Sequence, residues 1–243
     1  LYAGMADLAA ETGDASLLEA LQRLWRDLTA HKLYLTGGIG PSRENEGFTG
    51  DYDLPNQEAY AETCAAIGLV FWAQRMLQLD LDSRYADVME RALYNALLSG
   101  VSLSGDRFFY ENPLASEGNH HRQRFFACSC CPPNINRFLP TLGGTLYSVG
   151  PHELDVHLYV QSQAEVDLMD GPLTVTQQTD YPWDGIVCLN FEMRAPSSFT
   201  LKLRKPGWCR EGQVYLNGRE VSAEGDFTRG ILCSNGNGSP AIS

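Results

Sequence analysis

The chain has 243 residues, 44% of them hydrophobic, and a formal net charge of −12. That size supports one large domain or two ordinary ones with packed cores. The acidic balance argues against nucleic-acid partners and anionic membrane surfaces, and no apolar run reaches the length of a membrane span. Seven cysteines without the even spacing of a disulfide scaffold predict reduced thiols and a cytoplasmic protein.

Residues 1–33 carry helical periodicity through Leu8, Leu17, Leu18, Leu21, Leu24, Trp25 and Leu28, interrupted at Gly13-Asp14, with a new helix predicted from about Ser16. The run Tyr34-Leu35-Thr36-Gly37-Gly38-Ile39-Gly40-Pro41 is a glycine-rich turn. It lacks the Lys-Ser/Thr ending of a phosphate loop, so its glycines are read as allowing close backbone approach, for example to a ligand. Glu44, Glu46, Asp51 and Asp53 follow, interleaved with Phe48, Tyr52 and Leu54, as in a loop folded over a pocket.

Gln57 to Leu79 is predicted as a helix, and Asp82 to Leu98 as a second one that stops at Ser99-Gly100. On a regular helix Glu62 and Cys64 point about 200° apart and do not readily serve one centre. If they share one, the backbone must be irregular there, with a helix starting near Cys64. A short hairpin is predicted over Leu103 to Tyr110, then a polar loop with His120 and His121, for which metal ligation is the less favoured reading.

Cys128-Ser129-Cys130-Cys131-Pro132-Pro133-Asn134 places three thiols within four residues. Isolated cysteines are usually small buried hydrophobes, but vicinal ones before Pro-Pro favour a thiolate metal site or a reactive thiol. The prolines are expected to keep a regular helix from running through them, with a short helix from about Asn134 to Leu146. From about 152 the period changes to two, from Leu154-Val156-Leu158 through Val214-Leu216, with turn residues between runs. This predicts an antiparallel sandwich. The expected organisation is helical over 1–150, sheet over 151–230 and an irregular tail over 231–243.

Thiolates of Cys64, Cys130 and Cys131 with the Glu62 carboxylate would make a four-coordinate site suited to zinc, although thiolates also take iron or copper(I). A thiolate together with a carboxylic acid such as Glu46 would supply a nucleophile and a general acid. A structural metal site in a non-catalytic carbohydrate-binding protein is the competing reading. A sugar epimerase on a helical barrel would want histidine pairs that these motifs do not supply.

The ordered pieces YLTGGIG, NEGF, YDLPNQEAYAETCAAIG, MERALYN, FFYENPL and CCPPN resemble the beta-L-arabinofuranosidase family, glycoside hydrolase family 127. The match covers about residues 30–160. The resemblance implies the C-terminal part of an (α/α)6 barrel followed by a β-sandwich. It implies Zn2+ held by Glu62, Cys64, Cys130 and Cys131, with Cys130 as nucleophile, Glu46 as acid/base, and Glu90 and Tyr110 contacting the sugar. The implied partner is an L-arabinofuranoside oligosaccharide or glycoconjugate, with a homodimer as a candidate assembly, and another plant cell-wall sugar is the alternative substrate. Family members are far longer, so the chain reads as a fragment, expected to encode the sites while showing weak activity or none.

Overall fold

The computed structural model describes residues 1–222, 227–234 and 241–242. The chain divides into two compact units, one of Leu1–Leu81 with Asp87–Pro140, the other of Asp82–Ala86 with the chain from Thr141 onward. The division falls ten residues before the expected boundary at 150. Among the described residues, no helix is long and apolar enough to cross a membrane.

The first unit is helical. Helix α1 (Tyr2–Thr12) ends at Gly13, whose φ of 67° is the left-handed stop that glycine adopts without strain. Asp14 then accepts from the Ser16 N–H and caps α2 (Ala15–Asp27). Helix α3 (Thr63–Leu79) is the apolar centre of the unit, with Ile67, Val70, Trp72, Ala73 and Met76 buried. The Trp72 ring meets Tyr2 of α1 at 4.7 Å and Trp25 of α2 at 4.9 Å, and Phe71 meets Phe138 at 5.5 Å.

Three local expectations are corrected. The helix predicted from Gln57 starts only at Thr63, because Ala61 has a φ of 38° and Glu62 is extended (φ −58°, ψ 137°). The second helix is α-helical only over Ser83–Arg91 (α4), then continues as a π-helix to Leu97 and a 3-10 turn that ends at Gly100. Pro132 and Pro133 do not precede a helix but open one, α5 (Cys131–Phe138), because first-turn positions have no intrahelical N–H partner to lose. Leu139–Thr145 is 3-10, so the helix expected to reach Leu146 is shorter.

The second unit is built of strands. Strands β1 (Tyr147–Gly150), β2 (Glu153–Val156), β6 (Ser197–Arg204) and β9 (Phe227–Ser234) form one sheet in the order β1-β2-β6-β9. Strands β3 (Ser162–Leu168), β4 (Gly171–Thr179), β5 (Val187–Met193), β7 (Val214–Leu216), β8 (Arg219–Val221) and β10 (Ala241–Ile242) form the other, ordered β3-β4-β5-β10-β7-β8. Leu154, Val156, Leu173, Val175, Phe191, Phe199 and Leu201 meet in one core, so both sheets contribute their apolar faces to it. The sandwich is not wholly antiparallel. β2 and β6 run parallel (Leu154 opposite Leu201), because the chain between them leaves to build β3, β4 and β5 before returning. The tail expected to be irregular from 231 instead holds the end of β9, paired to β6 through Ser234 opposite Ser197, and β10, paired to β5 and β7. Residues 235–240 and 243 of that tail lie outside the described residues.

Candidate metal and catalytic site

The site lies in the helical unit. Cys64 is the second residue of α3, and Cys130 and Cys131 occupy the N-cap and first position of α5. Both helices therefore present their N-termini, where unpaired N–H groups carry partial positive charge, to the thiols. Glu62 joins them because the chain before α3 is extended, which removes the opposition that a regular helix would impose. Thr63 anchors this bend, donating through Oγ1 to the Phe109 carbonyl at 2.9 Å and accepting from Asn112 Nδ2 at 2.9 Å.

One ligand atom from each of Glu62, Cys64, Cys130 and Cys131 lies within 4.8 Å of the others. Cys64 Sγ is 3.4 Å from Cys131 Sγ, Cys130 Sγ is 3.9 Å from Cys131 Sγ, and Glu62 Oε1 is 3.3 Å from Cys130 Sγ and 3.6 Å from Cys131 Sγ. A tetrahedral ion with sulfur bonds of about 2.3 Å has S···S edges of about 3.8 Å, so the donor set fits such an ion. Electrostatics agree. The hydrogen bond to Cys131 holds the Cys64 thiol below its usual range, while the same bond, then burial, pushes Cys131 upward. Burial pushes Cys130 up to about 12. Without a cation, the cluster favours ionisation at only one of its three thiols; a bound cation would let more of them ionise.

Glu46 is held beside this centre. Its φ of 48° places it in a tight loop closed by the Ser42–Gly47 bridge, and Asn45 Oδ1 accepts from the Gly47 N–H at 3.1 Å. The loop is docked on the strand-like segment before α3, with the Tyr60 N–H bonded to the Pro41 carbonyl (3.1 Å) and the Ala61 N–H to the Gly40 carbonyl (2.8 Å). The Tyr60 hydroxyl donates to Glu46 Oε1 at 3.0 Å. Cys130 Sγ lies 3.1 Å from Tyr110 Oη, the Tyr110 hydroxyl donates to Cys128 Sγ at 3.8 Å, and the Tyr60 and Tyr110 rings are 5.9 Å apart. Glu46, Tyr60 and Tyr110 line a cavity of about 500 Å³ whose far wall includes Phe126, His121 and Cys128.

Of the residues singled out by sequence, Glu62, Cys64, Cys130 and Cys131 form one cluster, Tyr110 is hydrogen-bonded to it at Cys130, and Glu46, bonded to Tyr60, lines the same cavity as Tyr110. Glu90 is buried on α4 and does not line the cavity at Glu46. His120 is bonded through Nε2 to the Glu111 carbonyl (3.0 Å) and stacks on Phe109, away from any ligand role in the cluster. A second acidic group, Asp27 with His31 and Asp51, is bridged by the Lys32 ammonium, which already supplies its positive charge. Gly37 of the glycine-rich turn allows a close backbone approach: a Cβ there would meet the Ala92 backbone at 2.8 Å. Sequence reasoning missed Tyr60, Arg43 and Glu111. The last two form an ion pair at the cavity wall, with the Arg43 guanidinium 5.8 Å over the Tyr60 ring.

Residues 2–144 match the beta-L-arabinofuranosidase GH127 catalytic domain, and residues 153–229 match the GH127 middle domain. The non-reducing end beta-L-arabinofuranosidase of Bifidobacterium longum subsp. longum is 35% identical over 248 residues, covering 96% of this chain and 37% of that relative. The crystal structure of a GH127 beta-L-arabinofuranosidase from Geobacillus stearothermophilus T6 superposes with a TM-score of 0.92 at 43% identity, covering 99% of this chain and 40% of that one. A GH127 beta-arabinofuranosidase structure gives a TM-score of 0.94 at 39% identity, with 99% and 41% covered. The chain thus spans about two fifths of the length of these relatives. With both of its units matched in order, the chain belongs to the beta-L-arabinofuranosidase family, glycoside hydrolase family 127.

Proposed function

We propose that the chain carries the catalytic site of a retaining glycoside hydrolase that releases beta-L-arabinofuranose from arabinosides, with Cys130 as nucleophile and Glu46 as acid/base. The observation that carries this reading is that Glu46, held by Tyr60, lines one cavity with Tyr110, whose hydroxyl lies 3.1 Å from Cys130 Sγ. A carboxylic acid and a sulfur nucleophile so placed can serve the two ends of one glycosidic bond.

Glu46 gives its proton to the leaving oxygen while Cys130 Sγ attacks the anomeric carbon. The C–O electron pair departs with the oxygen, and the sugar is left on sulfur. Glu46, now a carboxylate, takes a proton from water. That water attacks the same carbon, the C–S pair returns to Cys130, and two inversions leave the configuration retained. Tyr110 and Glu90 are assigned to contacts with the sugar. The helices of the first unit are read as the C-terminal part of an (α/α)6 barrel. A Zn2+ held by Glu62, Cys64, Cys130 and Cys131 would keep the thiols deprotonated at neutral pH.

The test is Cys130→Ser in the full-length protein carrying this chain, assayed on an arabinofuranosyl disaccharide with metal content measured in parallel. Turnover lost by about a thousandfold or more with metal retained supports the reading. Turnover that survives the substitution, or an unsubstituted protein that cleaves no arabinoside, overturns it and favours a metal site without catalysis.

A further inference from the structure

Glu46 and Tyr110 line the cavity of about 500 Å³, whereas Glu62, Cys64, Cys130, Cys131 and Glu90 do not. A general acid faces the oxygen of the departing group, so a space that carries the acid but not the nucleophile lies on the leaving-group side of the bond. Tyr110 divides the two sides. Its hydroxyl is 3.1 Å from Cys130 Sγ, while its ring meets Phe126 of the cavity wall edge to face, with centroids 5.6 Å apart.

We propose that this cavity is the subsite for the leaving group, suited to a second, uncharged sugar ring, and that the Arg43–Glu111 ion pair reads the hydroxyls of that ring. This rests on the catalytic reading above and deepens it by assigning specificity-determining residues for the departing half of the substrate. Arg43 Nη2 donates to Glu111 Oε2. A guanidinium has further N–H donors and a carboxylate a second oxygen, so the pair presents a donor beside an acceptor, the pattern that neighbouring sugar hydroxyls match. Phe126 adds an apolar surface for the C–H face of the ring. Two carboxylates, Glu46 and Glu111, face one guanidinium that is already paired, which favours a neutral leaving group over an anionic one.

These walls are fixed by contacts of their own. The Arg43 guanidinium lies 5.8 Å over the Tyr60 ring as well as against Glu111. The Glu111 carbonyl is bonded to His120 Nε2 at 3.0 Å, and the next residue, Asn112, donates its N–H to the Tyr60 carbonyl at 3.1 Å. Gln123 of the opposite wall exchanges two backbone hydrogen bonds with Phe108, both of 2.8 Å. Polar groups held in place in this way lose little freedom on binding, so more of their contact energy appears as selectivity. Arg43 and Glu46 also share the loop closed by the Ser42–Gly47 bridge, which keeps the hydroxyl-reading group and the acid in register.

The experiment compares two substrates of the full-length enzyme, an arabinofuranosyl-arabinose disaccharide and methyl arabinofuranoside. Both leaving groups are alcohols that need the Glu46 proton, but only the first carries a ring with hydroxyls. The unsubstituted enzyme is expected to prefer the disaccharide by about 100-fold in kcat/KM, and Arg43→Met is expected to lower that preference by about 30-fold. Glu111→Gln, which keeps the shape of the side chain, should lower it by about 10-fold. Equal losses on both substrates in either variant would make the pair a support for Glu46 alone and overturn the subsite while leaving the catalytic reading standing. So would an unsubstituted enzyme with no preference between the two substrates. An unsubstituted enzyme that cleaves neither removes both readings. Should the variants fail to fold, a crystal structure of Glu46→Gln with the disaccharide bound decides: a second ring within hydrogen-bond distance of Arg43 and Glu111 supports the proposal, and a second ring outside this cavity overturns it.

Discussion

Cys64 Sγ and Cys131 Sγ lie 3.4 Å apart across the converging N-termini of α3 and α5. Two thiols this close are either shared by a cation or poised for oxidation. Purified protein is expected to hold about one metal ion per chain by elemental analysis, lost in Cys64→Ala and in Cys131→Ala. Removing the metal without reductant should lower the free thiol count by two as these two sulfurs pair, which thiol titration before and after reduction checks. A full thiol count after prolonged aeration of metal-free protein would contradict it.

Glu46→Gln keeps the size of the side chain and can still accept from Tyr60, but it cannot deliver a proton. Turnover of a disaccharide is expected to drop by about 10²- to 10⁴-fold, and that of a nitrophenyl arabinofuranoside much less in its first step. Burst kinetics on the nitrophenyl substrate would expose the second step, since the intermediate should accumulate when no base activates water.

Gly37 donates its N–H to the Tyr34 carbonyl at 2.8 Å with a φ of 84°, and an added Cβ would sit 2.8 Å from the Ala92 Cα. Backbone cannot retreat as a side chain can. Gly37→Ala is expected to destabilise the helical unit by about 3 kcal/mol, from left-handed strain and the collision together. Gly50→Ala, where nothing lies within 4 Å of the added carbon, is the control and should change little. Urea denaturation of both variants measures the difference.

His157 and Asp155 give the sheet unit opposing responses to pH. Burial, then the Arg204 charge, depresses His157 to about 4 from 6.5, so its contribution is full above 6.5 and is lost as pH falls through 4. Burial lifts Asp155 to about 6 from 3.8, only partly offset by Lys202, so its contribution is full below 3.8 and is lost as pH rises through 6. Each shift corresponds to about 3 kcal/mol at its limit, and the two windows overlap with opposite sign. Stability of the unsubstituted sheet unit should therefore be nearly flat between pH 4 and 6.5. His157→Gln should gain stability on acidification over that range and Asp155→Asn should lose it, as read by denaturation at several pH values.

Much of the site was legible because its residues are chemically costly. Vicinal cysteines and an acidic loop announce themselves, and the two-residue period of Leu154-Val156 and Leu201-Leu203 marks strands without ambiguity. Tyr60 was not legible. Between Ala59 and Ala61 it passes for the start of an apolar helix, and only the positive φ at Ala61 turns it out toward Glu46. The role of Pro132 and Pro133 was misread for a related reason: a prolyl pair ends one helix and starts another with equal ease, and only position relative to the first turn separates the two. The parallel β2–β6 pairing leaves no local trace, since alternation fixes which face a residue takes and not which way its neighbour runs.

That pairing also orders the assembly of the sheet unit. β3, β4 and β5 are joined by short turns and can zip as a meander as soon as they leave the ribosome. β2 cannot complete its own sheet until β6, made some forty residues later, docks alongside it. Until then the apolar side chains of Leu154 and Val156 have half a core to bury against. Pausing synthesis between Met193 and Arg204 would thus hold the nascent unit in its stickiest form, with a finished meander waiting for one strand.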